Sequence, residues 1–286
     1  MAYKVAYISK HGKFDAASEF ESFAKSHGVS FAVERIDAGD LKDCGWERLS
    51  SFDAVVLSSH LGACEQFAGS LASSLSLYAK CTFKCTDSGN LTRSNLIIVT
   101  DVQNDFDGGF ATENEFGRYA HETRRYSELE IERTARIAYE LAENRSKSLT
   151  LSDSPKGSHI ASLWRKIVSD INEDYPSVHL EIESTFDTAR KLAGNANGFD
   201  VILTENANSL ALSGVADAKN PLGDGTSGVA YLGETTVGLY MTERAAVGAS
   251  ALDSLSFANM LDHSFDLPRL AEDWKIQIVK VLLQKC

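Results

Sequence analysis

Hydrophobic and polar positions along this chain switch between a short run and a helical spacing, and the switches mark out its elements. "KVAYIS" near the start has the apolar density of a buried strand. "DAASEFESFAKSHG" follows, with Phe20 and Phe23 on one side of a helix and Gly28 as its stop. "FDAVVLSS" and "NLIIVT" read as further buried strands. The clearest helix is "SELEIERTARIAYELAENR". Ser127 is placed to cap it, Glu130 completes a capping box, and Ile131, Ala135, Ala138 and Ala142 recur at helical spacing. Next come strand "SLTLSD", helix "HIASLWRKIVSDINEDY" with Trp164 as core filling, strand "VHLEIES", helix "DTARKLAGN" and strand "DVILTE". Strands alternating with helices in this order predict an α/β protein.

Two stretches break the rhythm. "DVQNDFDGGFATENEFGRYAHETRRY" is polar, glycine-bearing and too long for a plain connection, which points to a functional arm or an exchanged hairpin. "NPLGDGTSGVAYLGETTVG" reads as the other irregular region. It lacks the Lys-Ser/Thr ending of a phosphate loop.

At 286 residues and 43% apolar content the chain can bury a substantial core. A net charge of −12 and a pI near 5.1 exclude a broad nucleic-acid footprint, which needs clustered Lys and Arg. No run of apolar residues is long enough to span a bilayer, and "YKVAYI" is strand-like where a signal peptide would be apolar. The expectation is a soluble, intracellular protein of the mitochondrial matrix or cytoplasm, with no targeting segment and no membrane insertion. Five cysteines favour reduced thiols. Cys81 and Cys85 have ligand-like spacing but no matching His or Cys pair nearby, so they read as buried or edge-strand thiols. Seven scattered histidines form no HExxH pair, and no GxSxG elbow is present.

From Arg125 to about Ala218, the runs "RYSELEIERTARIAYELAENR", "SLTLSDSPKGSHIASLWRKIVSDINEDYPSVHLEIESTFDTARKL" and "FDVILTENANSLAL" resemble the middle of the isocitrate/isopropylmalate dehydrogenase family in order and spacing. "LYAKCTFK", "LGETTVGLY" and "SFANML" are weaker echoes on either side. The resemblance implies a two-domain isopropylmalate-dehydrogenase-like α/β fold with a shared central mixed sheet. Residues 1–95 plus 216–286 would form the large domain, and 96–215 a central domain carrying a dimerisation arm. It also implies a homodimer, or a heterodimer with a related subunit, within a possible larger assembly.

Family enzymes oxidise a 2-hydroxy acid with NAD or NADP and release a β-carboxyl group, helped by Mg or Mn. That chemistry needs arginines for substrate carboxylates, hard oxygen ligands for the cation and a Lys/Tyr pair for proton transfer. By resemblance, two substrate arginines fall at Thr82 and Thr100, and the catalytic lysine at Ser154, with Lys156 two residues on. One metal aspartate is matched by Asp187, while the other two fall at Leu210 and Gly214. Tyr126 matches the catalytic tyrosine, and the same position suits a packing role. Asp187 precedes "TARKL" and better suits a cap of that helix. Glu205 and Asn206 fall where relatives line the cofactor side of the site, and a strand-end hydrogen bond would also explain them. Asn259 in "SFANML" is the direct match on the cofactor side. The family's N-terminal glycine-rich turn falls on Lys10, His11, Gly12 and Lys13, and its dinucleotide loop around "TERAAVGASA" lacks the expected His, Pro and Asp.

The resulting expectation is a catalytically degenerate relative acting as a regulatory or structural subunit, without a cofactor. The alternative is an NAD(P)-dependent oxidoreductase of altered 2-hydroxy acid specificity that uses Mg or Mn, with Lys156, Tyr126, Asp187 and Glu205 as a rebuilt site. A sensor that keeps the cleft without the chemistry is a third reading.

Overall fold

Apolar runs that alternate with amphipathic stretches fold into strands covered on both faces by helices, because a strand buried on both sides must be apolar throughout. The computed structural model describes residues 2–9, 16–41, 46–59, 61, 64–86, 95–102, 108–153, 158–220, 227–234, 237–242 and 249–283. Its strands are β1 (Tyr3–Ser9), β2 (Phe31–Asp37), β3 (Ala54–Leu57), β4 (Leu77–Lys84), β5 (Leu96–Asp101), β6 (Gly109–Asn114), β7 (Gly117–Glu122), β8 (Ser148–Asp153), β9 (His179–Ser184), β10 (Val201–Thr204), β11 (Gly228–Gly233) and β12 (Gly238–Thr242). The helices are α1 (Ala16–Ser26), α2 (Cys64–Ser74), α3 (Glu128–Glu143), α4 (His159–Asn172), α5 (Thr185–Gly194), α6 (Asn206–Asp217), α7 (Ala249–His263) and α8 (Pro268–Leu283).

Ten strands form one mixed sheet in the order β2-β1-β3-β12-β11-β4-β5-β10-β8-β9. The pairs β11/β12, β11/β4 and β4/β5 are antiparallel, and the rest are parallel. Strands from the two ends of the chain therefore fill one side of the sheet, and β5, β10, β8 and β9 fill the other. One continuous core covers a whole face, from Val5, Phe20 and Trp274 to Ile131, Trp164 and Leu203. The opposite face holds two separate clusters, one around α2 and one around α5 and α6.

Gly28 does stop α1, in the left-handed region at φ 80°, and Phe20 and Phe23 are buried beneath that helix. Ser127 and Glu130 form the expected capping box on α3. Trp164 is buried in the core. Cys81 and Cys85 are buried free thiols, and burial pushes the Cys81 thiol up to about 12, far from the thiolate a metal requires. The glycine-rich stretch read as irregular instead contains β11, an interior strand between β12 and β4. The long polar stretch holds the β6/β7 hairpin, exposed along both strands. No described helix is long and apolar enough to cross a membrane.

Candidate functional site at the ends of the parallel strands

In open α/β sheets the crevice beyond the carboxyl ends of parallel strands is where ligands meet the fold. Three neighbouring strands here run out into a hydroxyl residue and then an acid: Thr100-Asp101 on β5, Thr204-Glu205 after β10, and Ser152-Asp153 on β8. The register aligns them, since Leu203 lies beside Val99 and Thr204 beside Ser152. Asp101, Glu205 and Asp153 thus form a row with about 4.8 Å between strands.

Each acid in the row is engaged by a neighbour. Asp101 is 3% exposed, and its Oδ1 accepts the Asn206 backbone N–H at 3.1 Å. Glu205, at the N-cap of α6, makes no side-chain cap bond, so Asp101 supplies the negative group at that helix start. The Tyr126 hydroxyl donates to both Asp101 oxygens at 3.3 Å, while its ring meets Trp164 edge-on with centroids 5.6 Å apart. Glu205, 2% exposed, accepts from Arg124 Nη1 at 2.9 Å. Asp153 pairs with Arg165 of α4. The hydroxyls tie the row to the backbone: Thr204 Oγ1 donates to the Ser152 carbonyl and Thr185 Oγ1 to the Asp153 carbonyl, each at 2.8 Å.

The structure brings Tyr126, Glu205 and Asn206 together at this crevice. Asp187 begins α5 beyond the same sheet end, where Ser184 is the N-cap. The Ser184 hydroxyl donates to Asp187 Oδ2 at 2.7 Å and accepts from its backbone N–H. That bond, followed by Arg190, holds the Asp187 carboxyl below the usual range. Asp187 is therefore part of a helix cap. Leu210 stands 72% exposed on α6, and Gly214 has open space where a side chain would be. Among the described residues no three His, Cys, Asp or Glu side chains gather closely enough to hold a cation. The described residues of one chain therefore do not fit a Mg or Mn centre.

Thr82 and Thr100 are buried strand residues, and Thr100 Oγ1 has no hydrogen-bond partner. Two neutral hydroxyls enclosed in this way cannot clamp a carboxylate as arginines do. Lys156 and Ser154 lie outside the described residues, as do Lys10, His11, Gly12, Lys13 and most of "TERAAVGASA". Asn259 is separated from the other cofactor candidates. It abuts Gly228, which pairs with Phe83 near the end of β4, whereas Asp101 pairs with Ala79 near its start. Asn259 and the Glu205/Asn206 pair thus belong to opposite ends of the sheet. Asp101, Arg124, Asp153 and Arg165 were not singled out from the sequence. The signal for the two acids was the repeated ending "VTD", "LSD" and "LTE" on three neighbouring parallel strands, and nothing comparable marks the two arginines.

The profile of the family described as isocitrate/isopropylmalate dehydrogenase matches residues 76–240. The 3-isopropylmalate dehydrogenase of Blochmanniella floridana is 35% identical over 144 residues, which cover 49% of this chain and 38% of that protein. The enzyme of the same name from Dehalococcoides mccartyi is 43% identical over 89 residues, 31% of this chain and 24% of that protein. The chain thus spans well under half the length of the curated relatives it matches. Among solved structures, isocitrate dehydrogenase from Methylococcus capsulatus superposes with a TM-score of 0.73 at 18% identity, covering 94% of this chain and 87% of that one. A β-decarboxylating dehydrogenase from Thermococcus kodakarensis gives 0.68 at 18% identity, covering 99% and 97%. These structural likenesses concern the fold.

Proposed function

The chain belongs to the isocitrate/isopropylmalate dehydrogenase family, and from that premise we propose that it is a catalytically degenerate member that works as a regulatory or structural subunit. The observation that carries this reading is the pairing of charge in the crevice. Arg124 and Arg165 are engaged by Glu205 and Asp153, and Asp101 is engaged by Tyr126 and the start of α6. Groups that a substrate acid and its cation would need are bonded to one another, and positions 210 and 214 contribute no oxygen. The test is calorimetric titration with NAD, NADP, Mg and Mn, together with turnover assays on isocitrate, isopropylmalate, tartrate and homoisocitrate. Turnover above background with any of these acids removes the proposal.

The reading includes a dimer, formed with a second copy or with a catalytically competent relative. The β6/β7 hairpin supports it by exposing Phe110, Phe116 and Tyr119 at 57%, 90% and 48%, and the paired helices α5 and α6 add Phe186 at 75% and Leu210 at 72%. Large apolar side chains left this exposed call for cover. Phe106, the remaining aromatic of the arm, lies outside the described residues. Light scattering that finds only monomer at micromolar concentration sinks the dimer.

One observation favours the alternative, an NAD(P)-dependent oxidoreductase of altered specificity. Asp101 and the Tyr126 hydroxyl form an acid–hydroxyl pair of the kind that moves a proton, at the end of the sheet where relatives react. Oxidation of a singly charged hydroxy acid such as lactate or glycerate, abolished in Tyr126→Phe, would establish it. Equal rates in both proteins would dismiss it.

A further inference from the structure

Toward the other end of the sheet, a cavity of about 780 Å³ opens between the C-terminal half of α3, the end of α7 and the start of α8, and it reaches back along the face to Leu232, which pairs with Ala79. Two polar groups lie deep in its lining: Lys275, 9% exposed, and Asn259, 4% exposed. Neither side chain makes a hydrogen bond or ion pair with any described residue. Both residues are more than nine-tenths buried and line the cavity without a protein partner, so the space beside them is suited to a ligand that bonds to their polar ends. Arg145, also at the cavity, is engaged by Asp200 at 2.7 Å.

The remaining walls narrow the ligand. The rings of Phe83 and His263 are stacked with centroids 4.5 Å apart and planes 18° apart, and Ile137, Leu141 and Leu232 continue the apolar surface. Burial pushes His263 down to about 4, so at neutral pH it is an uncharged ring. The mouth is acidic, with Glu140, Asp266 and Glu272 exposed and Asp262 half-buried. That rim repels nucleotides and polycarboxylates and attracts a cation. A volume of this size lies within the range of small-molecule sites, about 300–1,000 Å³.

We propose that this cavity binds a small zwitterion of the amino-acid class with an apolar or aromatic side chain. Its carboxylate sits on Lys275 and the Asn259 amide, its ammonium faces the acidic mouth, and its side chain lies along the Phe83–His263 rings. The site is separate from the strand-end crevice and stands whether or not that crevice is catalytic.

The test is calorimetry on the full chain with three probes: L-phenylalanine, 3-phenylpropionate, which lacks the ammonium, and phenethylamine, which lacks the carboxylate. L-phenylalanine is expected to bind, with each of the others weaker by about tenfold or more. Lys275→Met keeps the volume, removes the charge and should abolish binding while the melting temperature holds or rises. Glu272→Gln, at an exposed position, should weaken L-phenylalanine about threefold and leave phenylpropionate unchanged or slightly tighter, and it carries the test should Lys275→Met be unstable. No heat and no thermal shift with L-phenylalanine up to about 10 mM overturns the proposal. So does unaltered binding by both variants, or phenylpropionate binding as tightly as L-phenylalanine.

Discussion

Lys84 and Lys275 lie at the same end of the sheet, one under each layer of helices, and both are removed from water. Lys84 is wholly buried at the end of β4, with Asp217 of α6 at 2.8 Å, and the Ser227 hydroxyl donates to the same carboxylate oxygen at 3.1 Å. Lys275 on α8 makes no ion pair with a described residue, and Asp262 acts on it only from a distance. A buried charge with a close partner behaves as structure, because removing the partner is what costs most. A buried charge beside open volume is a different object, since its stability is improved by whatever enters. The strand-end crevice resembles the first case, with its acids bonded to Arg124, Arg165, Tyr126 and the start of α6.

The largest effect expected is that of Asp217→Ala, which removes the close counter-ion of buried Lys84 and should cost about 3–5 kcal/mol in urea unfolding. Lys275→Met should go the other way, neutral or stabilising by up to about 4 kcal/mol, since an unpaired charge is replaced by an apolar chain. If the two variants destabilise equally, the contrast between the lysines collapses.

Titration sharpens the same contrast. Burial, which outweighs the opposing pull of Asp262 and is reinforced by Arg145, holds Lys275 below its usual 10.5, so the folded state binds fewer protons than the unfolded one. The penalty is fully present below the folded value and is relieved as pH rises from there toward 10.5. Wild type should therefore gain stability relative to Lys275→Met on the alkaline side. His263, lowered from 6.5 to about 4, adds nothing above pH 6.5 and destabilises as pH falls through that window. The loss should be on the order of 2 kcal/mol by about pH 4.5 and absent from His263→Phe, measured as the difference between the two urea midpoints. Smallest is Ser127→Ala, about 1 kcal/mol from the lost cap on α3, with no change in either lysine's behaviour.

How much was legible in the sequence followed from how local each signal was. α3 could be read from Ser127, Glu130 and the spacing of its alanines, because a capping box and a helical stripe are written within a few residues. The strands "NLIIVT" and "SLTLSD" were equally plain, being buried on both faces. β11 was hidden by its glycines, two of which let other groups come close: a side chain at Gly228 would strike Asn259, and one at Gly233 would strike the Ser76 carbonyl. The crevice was half legible. Tyr126, Glu205 and Asn206 do meet there, but Asp101 and Asp153 became visible only once the register set three strand endings side by side. Asn259 lies apart from Glu205 and Asn206, because a short echo such as "SFANML" carries no information about which end of a sheet it will occupy. The cavity could not be read at all, since Phe83, Arg145, Asn259 and Lys275 are distant in sequence and each looks ordinary alone.

The arm has one more practical meaning. All twelve residues of β6 and β7 are exposed and paired with each other, and a two-stranded ribbon is marginal by itself. Arg118 near its tip is thus an open target for trypsin, and the rate at which the chain is nicked there reports on whether a companion is seated. A sample cut within minutes when dilute and resistant when concentrated would reveal self-association with no label attached. One spared only after mixing with an active relative would identify its companion by shielding alone.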